Sequence, residues 1–215
     1  MRRHYLIFVS PSGWRAMLAT RGDLASDPLV AHWVDKSWPL IARRRMPGEA
    51  HGVALGLPLP PSAGKRRLSF LFQPEEIISS APPPSLDFAS RVAPDEWQPT
   101  LDRLNKLASQ HFLEPRVFGS LAWRALTGLD YLTDHSDLDL LLHVGRDTDL
   151  YRLAADLARV EAAAPMRLDG ELIRKDGAAA NWREFQAGGR EILVKTSSGV
   201  NLLDPRLFLP GKAPS

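Results

Sequence analysis

A chain of 215 residues, 44% of them hydrophobic, is long enough for one large domain or two small ones and too apolar to be disordered throughout. It has no cysteine, which excludes a disulfide framework, a thiolate zinc site and a cysteine nucleophile. It also lacks the run of ~18 apolar residues that a membrane-spanning helix needs. Net charge is only +2, yet residues 1–67 hold 11 Lys or Arg against 4 Asp or Glu, residues 68–99 hold 1 against 5, and the remainder 15 against 16. The basic first third suits phosphates or an acidic partner, with a solvated arginine-rich surface as the competing explanation. The apolar patch before Pro11 is too short for a signal peptide, so a soluble, cytoplasmic protein is expected.

In chain order, residues 5–9 are β-prone and residues 29–38 carry apolar residues at helical spacing. A basic turn follows at Arg43, Arg44 and Arg45, then an apolar stretch over 53–58. Lys65, Arg66 and Arg67 lead into the strand pattern of 68–72. This is a small α+β domain, assigned to residues 1–85. Proline punctuates what comes next: Pro82, Pro83 and Pro84 favour an extended polyproline path, with Pro94 and Pro99 beyond. A linker is expected over about residues 79–99, with 86–99 assigned between the two domains; a long loop inside one domain is the alternative.

The second domain, 100–215, reads more clearly as mixed α/β within an α+β chain. Residues 100–112 have the spacing of an amphipathic helix. A short strand at 116–118 ends at Gly119 and Ser120, and a helix over 121–126 stops at Gly128. Residues 138–144 form a strongly apolar strand, and 147–164 a long helix rich in alanine and leucine. Residues 166–174, 182–185 and 191–196 are expected to complete a strand-rich end.

The chemistry concentrates in residues 117–144. Asp137 and Asp139 flank one leucine on the predicted strand, so their carboxylates project to the same side. Such a pair resists ionisation side by side unless a cation neutralises it. Mg²⁺ does this while also taking substrate phosphates. Gly119 and Ser120 stand at a strand-to-helix turn, where glycine permits close approach of a phosphate and the new helix offers N–H groups. Metal and phosphate sites on neighbouring strands are what phosphoryl or nucleotidyl transfer needs. Arg124, one turn later, is a candidate phosphate ligand.

FGS, a helix, and then SDLDLLL resemble the nucleotidyltransferase superfamily signature, in which Gly-Ser precedes an Asp-x-Asp metal motif. Sixteen residues separate Ser120 from Asp137, more than the signature usually has, so the loop around 128–135 is longer here. Across nearly the whole chain the sequence also resembles the phosphoribosyl-dephospho-CoA transferases of malonate decarboxylase. That likeness is carried by the RRR turn, GLPLP, GKRRLSF, FGSLAW, SDLDLLL, RLDGEL, ANWREF and EILVK. It implies transfer of 2′-(5″-phosphoribosyl)-3′-dephospho-CoA from a triphosphoribosyl donor to a serine of the malonate decarboxylase acyl-carrier subunit, with pyrophosphate leaving. Neither nucleic acid nor membrane is implied as a partner.

The superfamily normally has a third carboxylate on a later strand. In RLDGEL, alternation puts Asp169 and Glu171 on one face; Asp169 is favoured, as general base for the acceptor hydroxyl. A hairpin-edge Asp beside a turn glycine is the competing reading. Lys195 reads as an edge-strand lysine before a phosphate ligand, and His135 as a solvent-facing loop residue. The six tryptophans read as core before base-stacking platforms. Two other functions remain open: a nucleotidyltransferase moving AMP from ATP, and a catalytically silent binding module. Intact Gly119, Ser120, Asp137 and Asp139 speak against the second of these.

Overall fold

A computed structural model describes residues 3–46, 48–196 and 199–209. The chain divides into two compact units, residues 1–83 and 84–215. Both mix helices with one sheet, so the fold is α+β. Among the described residues, no helix is long and apolar enough to cross a membrane.

The first unit opens with β1 (Leu6–Val9) and α1 (Pro11–Ala19). Ser10 caps α1 by accepting from the Gly13 N–H at 3.0 Å, and Pro11 takes a position where no N–H is required. Two single turns follow, α2 (Gly22–Ala25) and α3 (Pro28–Ala31), then β2 (Leu40–Ala42), β3 (Val53–Pro58), β4 (Arg67–Phe72) and β5 (Ile77–Ala81). The strands form an antiparallel sheet in the order β4-β3-β2-β1-β5. The helix expected over 29–38 shrinks to α3. Ser37 takes a left-handed conformation, and the Trp33 indole turns inward to donate to the Pro39 carbonyl at 3.0 Å. Arg43 is tied down inside this unit: its guanidinium forks onto Glu49 and also donates to the Leu55 carbonyl.

In the second unit, the stretch expected to be a linker is folded. Ser85 caps α4 (Leu86–Ser90) by accepting from the Phe88 N–H, and α5 spans Gln98–Gln110. Leu86, Ala89 and Trp97 are buried in the core. The prolines mislead here because Pro94 and Pro99 occupy helix-start positions, where the ring is tolerated.

The chain continues through β6 (Arg116–Val117), α6 (Gly119–Thr127), β7 (Leu138–His143), α7 (Leu150–Glu161), β8 (Leu168–Ile173), β9 (Ala179–Asn181), α8 (Trp182–Ala187), β10 (Ile192–Lys195) and β11 (Val200–Leu203). The sheet order is β11-β10-β9-β8-β7-β6. β7 and β8 run parallel, linked through α7, and the other described pairs are antiparallel. Residues 182–185, expected as strand, are helical: Asn181 caps α8, and Trp182 and Phe185 fall three apart on its buried side. Leu138, Leu140, Leu142, Leu168 and Leu172 point to one side of the sheet, where α5 and α7 cover them with Leu101, Leu104, Leu153 and Leu157. The acidic residues of β7 and β8 therefore turn to the opposite side.

Candidate active site

The site is built where β6 hands over to α6. Val117 pairs with Leu140, and the Phe118 N–H donates to the Asp139 carbonyl at 3.1 Å, so the turn is pinned alongside β7. Gly119 has φ +63°, in the left-handed region that favours glycine. A Cβ there would lie 1.7 Å from Asp139 Oδ2 and 2.6 Å from its Cγ. The Asp139 carboxylate thus lies against bare backbone at the start of a nine-residue helix. Half-buried Ser120 follows at the second position of α6. Arg124 lies one turn further on the same face, where it pairs with exposed Asp130 at 3.5 Å.

The added length between Ser120 and Asp137 is accounted for by α6 running to Thr127, its Gly128 cap and a loop anchored by Tyr131. Tyr131 packs against Trp123 with ring centres 6.1 Å apart, and burial pushes its phenol above the ordinary range. His135 is exposed in the turn that the Ser136 N–H closes onto the Thr133 carbonyl.

β7 and β8 run in register, with Asp139 directly opposite Asp169, one strand spacing of about 4.8 Å away. Asp137 immediately precedes β7, two residues before Asp139. Glu171 is paired in register with Leu141, is 6% exposed, and accepts from Lys195 Nζ at 3.1 Å. The two acids of RLDGEL therefore differ: Glu171 is buried in an ion pair, while Asp169 faces Asp139. Lys195 is half-exposed and engaged by Glu171.

Two residues not singled out from the sequence border this face. Asn181, at the end of β9, donates through Nδ2 to Asp169 Oδ1 at 2.8 Å. Arg183 donates to Glu161 and to the Leu168 carbonyl, and its guanidinium lies 4.2 Å from the centre of the Trp182 ring. Glu161 holds Arg183 above its ordinary pKa, and the charges of Asp169 and Asp137 push the same way. Arg183 thus sits in the electrostatic field of both aspartates. A helix-start signal, Asn before an apolar-polar alternation of helical spacing, was the feature of ANWREF that could have marked Asn181.

Among the described residues there is no group of three His, Asp or Glu side chains spaced to hold a metal ion. A cation held by Asp137 and Asp139 would draw its other ligands from substrate and water. The all-oxygen donor set and the side-chain-free approach at Gly119 suit a hard divalent ion with phosphates attached. Trp14, Trp33, Trp97, Trp123 and Trp182 are buried, which accords with core packing.

Comparison with known proteins adds an independent line. The family model described as the phosphoribosyl-dephospho-CoA transferase MdcG N-terminal domain matches residues 2–83, and that for the MdcG C-terminal domain matches 85–206. A curated phosphoribosyl-dephospho-CoA transferase of Bradyrhizobium diazoefficiens is 56% identical over 209 residues, covering 97% of this chain and 92% of that protein. One from Xanthomonas campestris is 35% identical, covering 93% of this chain and 97% of its own length. One from Azotobacter vinelandii is 30% identical over 88% of this chain and 90% of that protein. No solved structure matches. Matched in both units and by relatives along nearly its whole length, the chain belongs to the phosphoribosyl-dephospho-CoA transferase family and is a transferase.

Proposed function

We propose that the protein transfers a 2′-(5″-phosphoribosyl)-3′-dephospho-CoA group from its 5″-triphosphoribosyl precursor to a serine of the malonate decarboxylase acyl-carrier subunit. The observation that carries this reading is the meeting of Asp139 with a side-chain-free helix start at Gly119 and with Asp169 on the neighbouring strand. It brings negative charge able to hold a cation next to N–H groups able to hold phosphate oxygens.

In this reading the acceptor serine oxygen attacks the α-phosphorus of the donor, the bond to the bridging oxygen of the β-phosphate breaks, and pyrophosphate departs. The product is a phosphodiester. Asp169 accepts the serine proton, as a carboxylate general base within reach of the acceptor. Ser120 and the first N–H groups of α6 orient the donor phosphates, with Arg124 one turn away. Asp137 and Asp139 would hold Mg²⁺, which when bound supplies positive charge to the phosphate oxygens and the leaving pyrophosphate. The basic first unit draws in the polyanionic donor or an acidic carrier protein.

The test is incubation of the protein with Mg²⁺, radiolabelled donor and the candidate carrier subunit. Label should pass to a carrier serine with one pyrophosphate released per transfer. Transfer of AMP from ATP in place of the labelled donor would overturn the reading in favour of a general nucleotidyltransferase.

A further inference from the structure

We infer that Asn181 is a positioning residue for Asp169: it engages one oxygen of that carboxylate and leaves the other directed at the acceptor hydroxyl. This rests on the reading of Asp169 as the proton acceptor and extends it to a residue that touches neither substrate nor metal.

The argument starts from donors and acceptors. The Arg183 backbone N–H can only donate, so the Asn181 atom it meets at 3.0 Å is the amide oxygen Oδ1. That fixes the orientation of the whole amide. The other end, Nδ2, is thereby aimed at Asp169 Oδ1, 2.8 Å away. One side chain thus caps α8 and donates to a carboxylate on β8. Its backbone is held in place as well, because Asn181 pairs across the ladder with Glu171, two residues beyond Asp169.

Capping alone does not call for asparagine, since serine and aspartate cap helices about as well. What asparagine adds is a neutral donor at the far end of the cap. The charged groups around it are otherwise engaged. Glu171 is paired with Lys195, and Arg183 is forked onto Glu161, so it reaches Asp169 through its field. Asp139 stands directly opposite Asp169 on β7 and repels it. A donor fixed from the β9 side counters that repulsion by keeping the carboxylate in one rotamer.

The experiment uses the full-length protein and the carrier-labelling assay with Mg²⁺ present. Asn181→Ser keeps an acceptor for the Arg183 N–H, but its hydroxyl sits a bond length short of the Asn181 Nδ2 position and no longer spans to Asp169; Asn181→Asp keeps the acceptor and replaces the donor by a like charge. Asn181→Ser should unfold within about 2 °C of wild type, because the cap survives, whereas Asn181→Asp should lose more stability through repulsion between the two carboxylates. kcat should fall about 10- to 100-fold, as is typical when a supporting hydrogen bond to a reacting group is lost, with KM for donor and carrier changed less than about twofold. In an Asp169→Ala background, adding Asn181→Ser should change kcat by less than about twofold, since the residue it serves is gone. Wild-type kcat in Asn181→Ser, or a full additional loss in the Asp169→Ala background, overturns the inference. The proposed role of Asp169 is read separately. If Asp169→Ala alone keeps wild-type kcat, that role fails and the inference with it. If Asp169→Ala is impaired and Asn181→Ser is not, only the inference fails.

Discussion

A methyl group on Gly119 would lie 1.7 Å from Oδ2 of Asp139, so the two residues share a space that only one of them can fill. Gly119→Ala must therefore displace the carboxylate as well as strain a backbone at φ +63°, which costs an L-residue about 1–2 kcal/mol. The variant should show a modestly lowered unfolding temperature and a loss of transfer activity far larger than that destabilisation accounts for. Calorimetry beside the labelling assay checks both. Near-normal turnover would mean that Asp139 does not need its present location.

Asp137→Ala and Asp139→Ala should leave the fold nearly intact, since half-exposed carboxylates contribute little to stability. Activity should drop by about 10²–10³-fold or more, the scale on which removal of one electrostatic stabiliser is felt. Chelation by EDTA should mimic both variants, and added Mg²⁺ should reverse chelation but not the substitutions. Full turnover of either variant with Mg²⁺ present would remove that residue from the site.

Ser120 is expected to hold phosphate and not to act as nucleophile, because in the proposed reaction the acceptor serine is supplied by the carrier protein. Ser120→Ala should raise KM for the donor and retain measurable turnover. Peptide mass mapping of protein quenched during turnover should find no adduct on Ser120; a covalent adduct there would reverse the assignment.

In the first unit, the guanidinium of Arg43 and the Met46 N–H hold the Glu49 carboxyl down at about 2, against an ordinary 4.5. The folded state thus keeps Glu49 ionised where the unfolded chain would protonate it. The stability this provides is fully present above about pH 4.5 and is lost as pH falls toward 2. Glu49→Gln should be less stable than wild type at pH 7, and the gap should close progressively between those two values. A gap that is constant with pH would show that the pair does not act through its charge.

Arg43 being committed to Glu49, binding by the basic first unit is expected to fall to its exposed cations. Neutralising Arg44 and Arg45 together, or Arg66, should raise KM for donor or carrier with kcat less affected. The salt dependence of binding should flatten too, as screening acts over about 8 Å at physiological ionic strength. Arg66 also pairs with Asp27 at 2.6 Å, so that variant should be compared with Asp27→Asn to separate lost binding from lost structure. Unchanged affinities would identify these residues as a solvated surface.

How much of this was legible in the sequence depended on whether the signal was local. The β7 alternation, the α5 stripe and the Gly128 stop rest on neighbouring residues, and all three appear in the structure. The linker reading of 86–99 failed because proline marks both breaks and helix starts. Only the buried Leu86, Ala89 and Trp97 tell the two apart. Residues 182–185 read as strand from sequence because a four-residue apolar-polar stretch fits either period, and the cap at Asn181 decides for helix. Sequence alternation put Asp169 and Glu171 on one face but could not separate them. The distinction lies in Lys195, 24 residues from Glu171 along the chain, which reaches it only through the sheet.

Gly170 lies between those two acids and faces the other way, where a Cβ would come 2.8 Å from Trp182 Cδ1. The indole occupies that gap and donates to the Leu168 carbonyl at 3.1 Å, while its own residue opens α8 between Asn181 and Arg183. Trp182 is therefore a plug on the core side of β8, seated beneath the glycine that separates the two acids, while its backbone joins Asn181 to α8. An engineer moving the RLDGEL strand into a foreign sheet would have to move the glycine gap and its tryptophan as well. Without that indole, the strand would arrive with an unfilled gap at Gly170, and only the β8–β9 ladder would be left to hold Asp169 beside Asn181.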